Sequence, residues 1–309
     1  MNDTTEKQFD VAIIGGALSG AATAILLLRE KPDLRVLIIE KSAAFTRRVG
    51  EATVEISGFF LMRVLGLTQH LNQHHISKNG LRFWFYNERT HTLDQCSEIG
   101  GKYLSRVPSY LVDRAVLDEE VLRRTVAMGA TLWRPAVVQK CELNPGAQQF
   151  LTVKHNDQLH RITARWVVDA SGVAAMLARQ NGWWKPNLEH PTASAWSRWK
   201  NVKDFDDIER AQKFPMWAKQ CFGVRGTATN HLMGDGWWAW WIQLKDGDVS
   251  IGVTFDQRLV EFPGEGSIGE RIKTFLMQHP VGREMMSDAV WTDGDVHWRK
   301  NLPYYSTTY

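Results

Sequence analysis

The chain has 309 residues, 44% hydrophobic and 23% charged, with a formal net charge of +3 from 37 basic and 34 acidic side chains. That suffices for one large globular domain or two intimately packed ones and excludes disorder, collagen and a small disulfide scaffold. The small, evenly spread charge argues against nucleic acid or an anionic membrane surface, and Cys96, Cys141 and Cys221 have no zinc or disulfide-framework spacing, which fits a reducing cytoplasm.

In chain order, Phe9 to Ile14 reads as a buried strand, Gly15 and Gly16 as a tight turn, and Leu18 to Glu30 as an Ala/Leu-rich helix ended by Pro32-Asp33. Arg35 to Glu40 is a second buried strand, so residues 9 to 40 form a βαβ unit and predict a parallel sheet with a right-handed crossover. The run Val11 to Leu28 is apolar enough to suggest a membrane span. Its glycines and its division into a β-rich and a helical half argue against one, and no secretory start precedes it, so the sequence predicts a cytoplasmic protein.

Residues 53 to 76 carry mixed helical spacing, and Leu81 to Tyr86 reads as an aromatic strand. A helix is predicted from Asp113, as N-cap, through Leu117, Val121 and Met128 to a stop at Gly129, followed by one strand from Thr131 to Leu143. Phe150 to His155 and Ile162 to Asp169 flank a polar Asn-Asp turn and read as a hairpin or meander. Beyond Gly172 the texture becomes Trp-rich and Pro-interrupted, and Trp237 to Leu244 with Val249 to Phe255 read as two strands of an antiparallel sheet. Fourteen tryptophans, with pairs at 183-184, 237-238 and 240-241, call for a wide core or an aromatic-lined cavity. The expected division is 1–175, a nucleotide-binding domain, and 176–309, a Trp-rich antiparallel sheet region inserted into it and packed against it.

Gly15-Gly16-Ala17-Leu18-Ser19-Gly20 is a GxGxxG fingerprint with Ala17 at the middle glycine. Such a turn lets backbone approach a pyrophosphate and points helix amides at it, and Glu40, closing the next strand, can accept ribose hydroxyls. An acid there argues against a phosphorylated ribose. The order of this fingerprint, Val112-Asp113-Arg114 opening a helix that ends Met128-Gly129-Ala130, and Val168-Asp169-Ala170-Ser171-Gly172 resembles the FAD-dependent monooxygenases typified by para-hydroxybenzoate hydroxylase. The resemblance implies an α/β, Rossmann-like FAD-binding domain in which Arg114 reaches the cofactor, residues around Val138 frame the adenine and the segment at Asp169 closes the fold.

Three further stretches resemble the flavin-dependent halogenases, the tryptophan-halogenase-like branch of the same superfamily. Val49-Gly50-Glu51-Ala52-Thr53 matches the loop that lies against the flavin and helps form the halide side of the site. Lys78-Asn79-Gly80-Leu81-Arg82-Phe83 resembles the lysine-bearing segment, and Trp238-Ala239-Trp240-Trp241-Ile242 matches most of a GWxWxIP signature, with Trp237 at its glycine and Gln243 at its proline. What the branch implies is reduced FAD supplied by a flavin reductase, an oxygen-derived C4a-hydroperoxide, and a halide ion converted to hypohalous acid. Lys78 then delivers the oxidant to an electron-rich aromatic substrate, free or carrier-bound.

In that picture Lys78 and Glu51 are catalytic, Gly15, Gly16, Ala17, Ser19, Gly20, Glu40, Gly50, Ala52, Thr53, Arg114, Val138 and Asp169 serve FAD, and Trp238 and Trp240 gate the substrate side. Read without the resemblance, Lys78 is equally an exposed lysine before a strand, Glu51 a loop acid, and the tryptophans an aromatic sheet surface. A catalytic Lys78 should be partly desolvated with a lowered pKa. His70 and His74 lack a third ligand, so no metal site is expected, nor nucleic acid or membrane partners. A hydroxylating monooxygenase or dehydrogenase on the same scaffold is the alternative enzyme. The family's flavin-contacting Gly-Asp motif normally follows a segment like Leu302-Pro303-Tyr304-Tyr305-Ser306, so the alternative from another class is a non-catalytic, truncated dinucleotide-binding fragment.

Overall fold

A computed structural model describes residues 7–221 and 223–308. The chain forms two compact units: Met1–Arg48, Arg114–Lys185 and Tyr305–Tyr309, and separately Val49–Asp113 with Pro186–Tyr304. This differs from the contiguous split at residue 175. The Leu81–Phe85 strand hydrogen-bonds to Thr229–Gly234, a pairing across almost 150 residues that local periodicity cannot reveal, and it draws 49–113 into the second unit.

The first unit is built on a six-stranded sheet in the order Thr131–Trp133, Val36–Ile39, Lys7–Ile14, Gln158–Asp169, Gln149–His155, Ala136–Glu142. Its first four strands run parallel, as the βαβ reading requires. The remaining pairs are antiparallel, joined at one hairpin by Asn156 and Asp157, both at positive φ, the conformation a two-residue turn needs. The predicted strand Thr131 to Leu143 is two strands. Pro135, which has no amide hydrogen, interrupts it, and the halves occupy opposite edges of the sheet. Ala12, Ile14, Leu37, Leu151, Ile162 and Ala164 form the core of this sheet. The Leu18–Glu30 helix packs on Arg114–Ala127, where the Thr125 hydroxyl donates to the Ala21 carbonyl at 3.1 Å.

The second unit centres on a seven-stranded sheet in the order Val290–Arg299, Thr192–Lys200, Val249–Asp256, Trp237–Gln243, Thr229–Gly234, Leu81–Phe85, Ser97–Gly100. Strand alternation divides its tryptophans between faces. Trp84, Trp199 and Trp241 are buried in the core face with Trp237 packed against them, whereas Trp238 and Trp240 point the other way. The second face carries a registered row, Phe83, His231, Trp240, Gly252, Trp196, His297, one residue from each of six adjacent strands. A Cβ at Gly252 would collide with the rings of Trp240 and with Trp196, so the glycine makes room for bulk on either side. A two-stranded ribbon, Ile76–Lys78 with Ser109–Leu111, brings Leu111 into a small cluster with Ile242 and Leu244, against which Ala52 and Trp240 pack.

Candidate active site

The first unit contains a cavity of about 310 Å³ at the C-terminal ends of its parallel strands, lined by Gly15, Ala17, Ser19, Glu40, Arg114 and Val138 among others. Gly15 sits at φ +104°, and a Cβ there would meet the Ala170 carbonyl. A Cβ at Gly20 would meet the carbonyl of Gly15 itself, so helix and turn can close only on glycine. The Glu40 carboxylate accepts from the Gly16 and Ser42 amides, each at 2.8 Å, and so pins the turn from behind while facing the cavity. Arg114 forks onto Asp118, both contacts at 3.1 Å, with Arg48 at 3.8 Å from the same carboxylate. Asp118 is fully buried, and burial pushes its carboxyl above the usual range against the pull of Arg114. A helix start, small residues, an acid for ribose and two arginines for phosphate suit the adenosine diphosphate part of a dinucleotide.

Three of the residues expected at the cofactor act on the turn instead of lining the cavity. Gly16 contributes its amide to Glu40, Gly20 packs on Gly15, and Asp169 accepts from the Ser171 and Leu177 amides at 3.0 and 2.8 Å, shaping the segment after the last parallel strand. Gly50, Ala52 and Thr53 belong to the second unit.

There, Lys78 is 2% exposed and its ammonium donates to the Thr53 carbonyl at 2.7 Å. The reading of an exposed lysine fails. Burial holds its pKa below that of an ordinary lysine, with Glu55 pulling the other way. The Thr53 hydroxyl is tied to the Tyr110 amide at 2.7 Å, and Ala52 bridges to Leu111, so the loop that supplies the acceptor is anchored to the strand beside Lys78. Glu51, also 2% exposed, is ion-paired with Arg198 at 2.7 Å, and Arg198 reaches Asp113 at 3.0 Å. Burial raises the Glu51 carboxyl despite Arg198 and a hydrogen bond from Ser250. One Glu51 oxygen is thus already held by a guanidinium.

Sequence reasoning missed Arg198 and His231. Arg198 lies 147 residues from Glu51, and no local motif announces it. His231 stacks on Phe83 with ring centroids 5.1 Å apart and meets Trp238 edge-on at 5.4 Å. His70 is buried, and its Nε2 lies 3.3 Å from that of His75, a packing pair. Among the described residues no group of three His, Cys, Asp or Glu could hold a metal ion. All three cysteines are buried and free, and no helix among the described residues is long and apolar enough to cross a membrane.

The strand-turn-helix cradle and its acid define a dinucleotide-binding fold. Residues 8–220 match the FAD binding domain family, and the chain belongs to it. Similar curated proteins are flavin-dependent halogenase chlA of Dictyostelium discoideum, 25% identical over 89% of this chain and 49% of that protein, and sulochrin halogenase gedL of Aspergillus terreus, 25% identical over 97% and 56%. Among solved structures, halogenase PltM in complex with phloroglucinol and FAD superimposes with a TM-score of 0.77 at 22% identity, covering 96% of this chain and 61% of that one. The chain spans about half the length of the curated relatives it matches.

Proposed function

We propose that this chain carries the flavin-holding and oxidant-delivering residues of a flavin-dependent halogenase that acts on an electron-rich aromatic substrate. The carrying observation is Lys78: a buried ε-amine with a lowered pKa, held by one backbone carbonyl, on the ribbon that follows a Gly-Glu-Ala-Thr loop. FAD bound in reduced form would supply the two electrons that activate oxygen, and oxygen is the oxidant that converts halide into hypohalous acid. Gly15, Ala17 and Ser19 admit the pyrophosphate to the backbone, Arg114 offsets its charge, Glu40 takes the ribose, and Val138 flanks the adenine. Arg198 fixes Glu51, whose loop presents the Thr53 carbonyl, and that carbonyl aims Lys78. The amine donates a hydrogen bond to the oxidant, or carries it as a haloamine. Trp238 and Trp240 offer bulk on the substrate side. The implied partners are a flavin reductase, a halide ion and an aromatic molecule, free or carrier-bound. Phloroglucinol bound in a similar fold supports this reading.

The test begins with a titration of the chain with FAD, followed by fluorescence quenching with NAD as competitor, and continues with product mass from a phenolic arene, a reductase and bromide. FAD-selective binding and a bromide-dependent mass gain, abolished in Lys78→Ala with FAD affinity intact, is the expected result. Halogenation retained in that variant overturns the role of Lys78. Oxygen insertion or desaturation without bromide would instead mark the alternative enzyme, the reading favoured by Gln243 at the end of the Trp237–Gln243 strand.

A further inference from the structure

Resting on the reading of Lys78 as the oxidant-holding amine, we propose that His231 is the second residue that grips the oxidant, its Nδ1 accepting the O–H of a hypohalous acid whose oxygen Lys78 holds. The Nδ1 atom of His231 is buried with no partner, and so are the hydroxyls of Ser109 and Thr229. Ser109 is the register partner of Lys78 across the ribbon, and Thr229 lies two residues before His231 on the same face of its strand. That strand also flanks the turn after Lys78: the Asn79 amide donates to Thr227 and the Thr229 amide to Gly80, at 3.1 and 3.2 Å. Three chain segments thus bring an ammonium with N–H directions to spare and three unpartnered polar atoms into one neighbourhood. Buried polar groups in folded proteins are almost always satisfied, so such a cluster is a place for a small polar guest.

The chemistry of the two strongest groups selects the guest. His231 sits within electrostatic reach of the Lys78 charge, and burial followed by that charge pushes its pKa down to about 4, so the imidazole is neutral. The Ala239 backbone pulls the other way, and with Nδ1 unpartnered the neutral ring in its Nε2–H form presents Nδ1 as a bare lone pair. A guest between Lys78 and His231 must accept from an ammonium and donate to an imidazole. A halide ion can do only the first. Water at rest and hypohalous acid in turnover do both.

Stacking on Phe83 and the edge of Trp238 lock the ring, so the oxidant is held by two fixed points and its halogen is aimed. In the transfer, a π pair of the arene forms the carbon–halogen bond and the oxygen–halogen pair stays on oxygen. That oxygen takes a proton from Lys78 and leaves as water, and the proton expelled from the ring carbon restores the Lys78 ammonium.

The test uses the full chain with FAD, a reductase, bromide and a phenolic arene. His231→Leu should lower kcat at least about tenfold with KM for the arene unchanged, and should release more hypobromous acid to a trap in solution. His231→Asn, whose amide oxygen replaces Nδ1, should regain most of the rate. A ¹⁵N NMR titration of the chain without cofactor should show His231 as the neutral Nε2–H tautomer from pH 8 to about 5, which reads the premise without turnover. A wild-type chain that halogenates no faster than His231→Leu, or an Nδ1 protonated at neutral pH, overturns this inference alone. A wild-type chain that makes no brominated product overturns the proposed function and this inference with it.

Discussion

The two units build their sites by different means. In the first, the cradle is backbone: Gly15 and Gly20 are shaped by what a Cβ would strike, and Glu40 does its structural work through two amides. In the second, the site depends on side chains matched across long stretches of sequence, Arg198 to Glu51 and His231 to Phe83. Backbone sites of the first kind are written in a short window. Sites of the second kind exist only once strands have found their register.

The comparison breaks hardest at Arg198. It is 3% exposed and faces two carboxylates, so Arg198→Leu leaves a buried Glu51 uncompensated and should cost about 3–5 kcal/mol in chemical denaturation. Arg198→Lys should recover little of this, because a point charge cannot fork to both partners. In the other unit, Gly20→Ala drives a methyl into the Gly15 carbonyl and should destabilise by about 1–3 kcal/mol, with FAD affinity falling at least tenfold. Fluorescence titration separates the two, since Arg198→Leu at temperatures where it stays folded should leave FAD affinity unchanged.

Acid should weaken the chain by way of its buried histidines. His75, His231 and His279 are each lowered to about 4, burial being the largest cause. His279 shows why: fully buried, it sits 3.3 Å from the Trp84 carbonyl through Nε2 and accepts from the Val281 amide at 3.1 Å, with no room for a second proton. The unfolded chain binds these protons near 6.5 and the folded chain does not, so stability is complete above that pH and is lost as pH falls towards 4. Thermal melts should decline over that window, each histidine contributing at most about 1.4 kcal/mol per pH unit.

Lys78→Met should raise the melting temperature by a few degrees, about 1 kcal/mol, because a buried cation with one hydrogen bond costs stability that function retains. The smallest effect belongs to Trp238→Leu. At 39% exposed it loses ring contacts with His231 and Trp240 and about 0.5–1 kcal/mol. Trp241, buried in the core of the same strand, should cost several times more in the same assay.

These contrasts track what could be read from residues alone. The βαβ start, the glycine turn, the Asn-Asp hairpin and the two-faced tryptophan strand follow from periods of 3.6 and 2 and from turn chemistry, which are local. Alternation continues through Pro135, whose nitrogen has no hydrogen to donate, so the sequence reads as one strand and only the ladder shows the break. The motif at Asp169 points to the cofactor, whereas its carboxylate accepts from the Ser171 and Leu177 amides of its own turn and, unlike Glu40, does not line the cavity.

By itself the sequence determined a dinucleotide-binding βαβ fold, because small residues at fixed spacing leave the backbone no other close approach, and FAD as the dinucleotide followed from the family resemblance. It also named Lys78 as a residue to watch. The tertiary structure alone decided that Lys78 is buried, that Glu51 is paired with Arg198, and that His231 lies in register with Phe83 and Trp240. Burial and register are properties of strand pairing between distant segments, and a lone lysine, acid or histidine carries no mark of the partner it will meet.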